Sequence, residues 1–136
     1  MKNWKSKVTI GLTVGVIAAA WGAHASSAEQ AGFRRIELER QDIGNPGHEA
    51  VLARAEIDPG ASAPRHTHPG EEVAYVLEGP ITLEVDGKPP AVLQSGDAFF
   101  IPAGTVHSAR NTGPNKAKIL STYILEKGKP LATLVK

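Results

Sequence analysis

The chain contains no cysteine. That excludes a thiolate nucleophile, a thiolate metal ligand and any disulfide, so stability has to come from the core and from whatever the fold binds. No apolar run is long enough to cross a bilayer comfortably. Residues 8–20 are apolar but softened by Thr9, Gly11, Thr13 and Gly15, and spanning about 30 Å of hydrocarbon takes roughly 20 residues. No Arg-Arg pair precedes that run and no cysteine follows it, which argues against twin-arginine export and against a thiol-linked lipid. Beyond residue 25 no stretch holds a 3.6-residue apolar period for three turns, so long helices are not expected.

Neither sign of charge dominates. Residues 1–25 read as a secretory signal: Lys2, Lys5 and Lys7 precede the apolar run, and Ala23-His24-Ala25 supplies the small-x-small site, with Ser26 as first mature residue. An uncleaved tether is the competing reading. Removing the three leader lysines from 15 basic residues leaves 12 against 14 acidic ones, about −2 with histidine neutral. Such a surface gives no basis for binding nucleic acid or anionic lipid. The expected destination is the periplasm or the exterior, with no stable membrane insertion after cleavage.

Residues 26–32 read as a loose lead-in and residues 33–136 as one domain. Short alternating segments at 33–40, 51–57, 73–77, 81–85, 91–93, 98–101, 106–110 and 119–125 are separated by turn residues such as Asp58-Pro59-Gly60, Glu78-Gly79-Pro80, Asp86-Gly87 and Pro102-Ala103-Gly104. Many short strands with regular turn signals predict an all-β sandwich or barrel.

Two spaced patterns carry the chemistry. Residues 60–79 read G-x5-H-x-H-x3-E-x6-G and residues 96–111 read G-x5-P-x-G-x2-H-x3-N. His66 and His68 stand two apart, so in an extended chain they project to one side. Glu72 shares their parity across the Pro69-Gly70 bend, as do Ala74 and Val76, whereas Glu71 has the opposite parity. His107 follows the Pro102–Gly104 turn, and Asn111 falls on its face. Imidazoles and a carboxylate suit a divalent transition metal ion, Fe, Mn, Ni, Cu or Zn. Four protein ligands would leave about two positions open on a six-coordinate ion. Glu72 could also take a proton from a bound ligand.

The paired patterns resemble those of the cupin superfamily, in particular the small bacterial single-domain conserved-barrel type. The resemblance covers residues 60–111, and both patterns are complete. It implies a six- to eight-strand antiparallel jelly-roll β-barrel (a double-stranded β-helix) with the ion on His66, His68, Glu72 and His107. Members often form homodimers, sometimes exchanging an N-terminal strand, for which residues 33–40 are the candidate. The superfamily spans dioxygenases, decarboxylases, isomerases, epimerases, lyases and binding proteins, so membership fixes the fold better than the reaction.

The leading functional expectation is therefore an exported, mononuclear metal-dependent oxidoreductase of dioxygenase type acting on a small organic compound. The alternatives are a non-catalytic metal-dependent binding or sensing protein and a redox-silent metal-dependent lyase or isomerase. His24 and His48 read as surface or turn residues, Asn111 as a structural hydrogen-bonding residue, and Tyr75 as an outward residue suited to an oligomer contact. Arg65 should point away from the ion, and the faces of Tyr123 and Phe99 stay open. By parity the inward set is Val51, Ala53, Ala55, Ile57, Ala74, Val76, Ile81, Leu83 and Val85, none charged. That predicts a mostly apolar cavity taking a neutral or weakly acidic ligand.

Overall fold

The computed structural model describes residues 30–136, so the expected leader, and most of the lead-in, lie outside the described residues. Ten strands follow one another: β1 (Phe33–Asp42), β2 (His48–Ile57), β3 (Ser62–Thr67), β4 (Glu71–Glu78), β5 (Ile81–Val85), β6 (Ala91–Leu93), β7 (Ala98–Ile101), β8 (His107–Asn111), β9 (Ala117–Glu126) and β10 (Thr133–Leu134). They form two five-stranded antiparallel sheets, ordered β1-β2-β9-β4-β7 and β10-β3-β8-β5-β6. The chain thus folds as the expected jelly roll, with no helix among the described residues.

The core lies between the sheets because each strand turns its alternate small or branched residues inward. Ile57, Val76, Ile81 and Ile119 are packed with Phe33, Ala55, Ala63, Ala74, Ala109 and Ala117. A smaller group joins Val51, Ala53, Tyr123 and Leu125 beneath the half-buried Leu131. Of the nine residues expected inside, eight are buried and Val85 is half-buried.

Two strands more than the resemblance implied are present, and β3 is the important one. Its sequence, SAPRHT, carries little apolar alternation. Pro64 lacks an N–H, and the pairing of β3 with β8 shifts register between Ala63 and His66. Proline is tolerated in a sheet at such a bulge, and the extra residue re-aims the following side chain. Ala63 and His66, three apart, are consequently both buried. At the far end of β8, Asn111 is fully buried. Its Nδ2 donates to the carbonyls of Ile57 (2.9 Å) and Asn115 (2.7 Å), and its Oδ1 accepts from the Gly113 N–H (2.9 Å). It is a structural fastener for the turn into β9.

β1 departs from its sequence pattern. Phe33 pairs with Ile57 and Arg35 with Ala55, both on the inward row of β2, whereas Ile36 pairs with Arg54 on the outer row. The register then slips between Glu37 and Glu39, leaving Leu38 exposed. On this strand the apolar Ile36 and Leu38 lie outside, and a cation lies inside.

Candidate metal centre

The four side chains singled out by spacing are brought together. His66, near the end of β3, lies directly opposite His107, the first residue of β8, and their rings stand 4.3 Å apart. His68 follows just beyond β3. Glu72 comes from β4 in the other sheet, while Glu71 beside it is exposed. Relative exposure is 4% for His66, 2% for His68, 4% for Glu72 and 3% for His107. The bend that returns the chain from His68 to Glu72 passes so close to β9 that a Cβ on Gly70 would sit 1.7 Å from the Ile124 carbonyl oxygen.

Backbone carbonyls orient every ring. His66 Nδ1 lies 2.6 Å from the Pro64 oxygen, His68 Nδ1 2.6 Å from the Leu131 oxygen, and His107 Nδ1 3.0 Å from the Thr105 oxygen. A carbonyl only accepts, so each Nδ1 carries the proton and each Nε2 presents a lone pair. Those Nε2 lone pairs converge. His66 and His68 Nε2 are 3.1 Å apart, and the three histidines bring ligand atoms within 4.8 Å of one another. Glu72 Oε2 lies 3.3 Å from His68 Nε2 and 3.2 Å from His107 Nε2, yet has no hydrogen-bond partner.

Lone pairs on three nitrogens and one carboxylate oxygen repel one another unless a positive charge sits among them. This donor set fits a divalent transition metal ion. Burial, and then the neighbouring His107, His68 and Arg35, depress the His66 imidazolium to a pKa of about 3. The ring is therefore available as a neutral ligand. Burial alone would raise the Glu72 carboxyl, but wherever the His107 or His68 ring also carries a proton on Nε2, its hydrogen bond to the carboxylate outweighs burial and holds the group well below the usual carboxylate range. Burial, reinforced by the Glu72 carboxylate, raises the Tyr123 hydroxyl far above its ordinary value and keeps it protonated. The Tyr123 ring packs 4.5 Å from that of His68, which places Tyr123 inside the barrel beside the centre.

One sequence expectation fails here. The inward surface is not free of charge. The guanidinium of Arg35 reaches the centre from β1, its Nη2 3.2 Å from His66 Nε2. Arg54 and Arg65, by contrast, are committed to Glu56 and Asp86 away from the ring cluster. Arg35 was missed because the apolar residues of β1 suggested the opposite phase. Leu131 was missed because a main-chain oxygen has no residue signature. His48 plays no part, its Nδ1 lying 3.2 Å from the Pro46 oxygen at the edge of β2.

A family model for the cupin domain matches residues 53–123. The chain belongs to the cupin family. Germin-like protein 5-1 of rice (Oryza sativa subsp. japonica) is 33% identical over 116 residues, which is 80% of this chain and 50% of that protein. The HTH-type transcriptional regulator PuuR of Escherichia coli is 30% identical over 93 residues, 68% of this chain and 50% of the regulator. The cupin chain thus spans about half the length of these relatives. Among solved structures, the DMSP lyase DddQ of Ruegeria pomeroyi superposes with a TM-score of 0.64 at 23% identity, over 82% of this chain and 57% of that one. That likeness concerns the fold.

Proposed function

We propose that this cupin holds one divalent transition metal ion on His66, His68, Glu72 and His107 and acts as a mononuclear oxidoreductase of dioxygenase type on a small organic compound. The observation that carries the reading is the convergence of three imidazole Nε2 atoms and an unpartnered carboxylate oxygen, with every Nδ1 committed to a carbonyl. Such an ion supplies Lewis acidity and, where it is iron, manganese or copper, a one-electron couple. Four protein donors would leave room on the ion for a ligand. The buried rings of Tyr123 and the histidines would restrict water around it, and on this reading Glu72 also takes up the proton that an acidic ligand gives up on binding.

Elemental analysis of the purified protein beside His107→Ala tests the centre. One ion per chain is expected in the parent and a large loss in the variant. Oxygen uptake by the Fe- and Mn-loaded protein over phenols, flavonols and diketones tests the reaction, and background rates throughout would reject it. Product formed equally well without oxygen would instead select the redox-silent lyase or isomerase reading. The likeness to a transcriptional regulator favours a second reading, metal-dependent ligand binding without turnover. Ligand-induced thermal shifts with no product would select it.

Two further elements belong to this proposal. Residues 1–25 direct export and are removed after Ala25, so N-terminal sequencing of periplasmic protein should start at Ser26. The protein is also a homodimer formed through the outer face of the first sheet, where Val73, Tyr75, Leu77 and Phe100 stay 39–55% exposed. Val73 and Phe100 are direct cross-strand neighbours, and a contiguous apolar face of this kind marks an association surface.

A further inference from the structure

We infer that Arg35 anchors the carboxylate of a small organic acid that also binds the ion at the His66, His68, Glu72 and His107 centre. The inference rests on the metal reading above and narrows its ligand class. β1 turns Arg35 inward opposite Ala55, whose small side chain leaves room for it. Its guanidinium lies against two aromatic rings, 5.4 Å from the Phe33 centroid and 5.8 Å from that of Tyr123. Such packing fixes the plane of the fork.

The fork has five donors and no acceptor, and it is short of partners. Nε is buried with no hydrogen bond, and among the described residues the only acceptor met by Nη2 is His66 Nε2 at 3.2 Å. Among the described residues no carboxylate forms an ion pair with Arg35. Glu37, next on the inward row, is engaged by Arg40. Once His66 Nε2 gives its lone pair to an ion, Arg35 loses that acceptor too. The centre then combines a dication, a guanidinium and the single carboxylate of Glu72, an excess of positive charge that a ligand anion would balance. A planar fork beside a coordination position matches a carboxylate, which can accept two parallel N–H bonds.

The test uses the full-length protein loaded with Mn(II), with the metal content measured first. Glycolate and its neutral isostere glycolamide serve as probes in titration calorimetry. The parent should prefer glycolate, and Arg35→Gln should reduce that preference at least tenfold while ion stoichiometry and Tm hold. An unchanged preference in Arg35→Gln overturns the inference and leaves the metal centre standing. So does a variant that loses the ion but keeps its preference once reloaded, since Arg35 would then only support His66. If Arg35→Gln does not fold, the parent decides: equal affinity for the two probes overturns the inference. A parent that takes up no ion sinks the centre itself and this inference with it.

Discussion

Acid should unfold the metal-free protein through His66, and the size of the effect follows from its surroundings. The imidazolium is favourable in the unfolded chain below pH 6.5, whereas burial and the neighbouring positive groups suppress it in the fold to about pH 3. Between those values the unfolded chain binds one more proton, so stability falls as pH falls. At 1.36 kcal/mol per pH unit, the full gap corresponds to about 5 kcal/mol, a large share of the 5–15 kcal/mol typical of a domain. The stability is fully present above pH 6.5 and fully lost below about 3. The cleanest window is pH 6.5 to 4.5, above the ordinary carboxylate midpoints, where the His66 shift should remove roughly 2–3 kcal/mol. Urea denaturation of chelator-treated protein at half-unit intervals measures the slope, with His66→Gln as control. A flat profile between pH 6.5 and 4.5, or an identical slope in the variant, would refute the reasoning.

Gly70→Ala should destabilise by about 1–3 kcal/mol or more, because the added methyl meets the Ile124 backbone, 1.7 Å from its oxygen and 2.7 Å from its carbon, rather than a movable side chain. Denaturation midpoints check it, and the variant should also bind metal more weakly as Glu72 shifts. Phe100→Glu should convert the proposed dimer to monomer in sedimentation velocity at micromolar concentration, with the β-sheet circular dichroism signal retained. A parent already monomeric there would dismiss the apolar outer face as an interface.

Much of the centre could be read from residues alone because its spacing couples to strand geometry. Glu72 and not Glu71 faces inward, as two-residue periodicity across the Pro69-Gly70 bend requires, and Asn111 fastens a turn as its place after His107 suggests. Three features stayed hidden for separate physical reasons. β3 was obscured by Pro64, whose bulge resets the parity that would otherwise have put Ala63 and His66 on opposite faces. Arg35 was hidden because β1 lies at a sheet edge, and its outward Ile36 and Leu38 mimic the apolar row of a core strand. The carbonyl that orients His68 belongs to Leu131, 63 residues away, and any residue type could have supplied it.

That last contact makes the three imidazoles unequal. His66 and His107 each take their orientation from a carbonyl two residues earlier, at Pro64 and Thr105, so those rings are set by local strand geometry. His68 depends instead on the C-terminal segment. There Thr133 and Leu134 pair with Thr67 and His66, and the Val135 N–H donates to the Arg65 carbonyl at 3.0 Å. Closing that segment over β3 and aiming His68 are one event. Glu72 is likewise the only one of the four donors in the first sheet. An ion held by all four would therefore tie the C-terminal segment and both sheets to a single point. Binding free energy would then appear as folding stability, about 2.7 kcal/mol at a free ion concentration one hundred times the Kd. That is comparable to what His66 removes between pH 6.5 and 4.5, so the bound ion would offset the acid lability that its own empty ligands create.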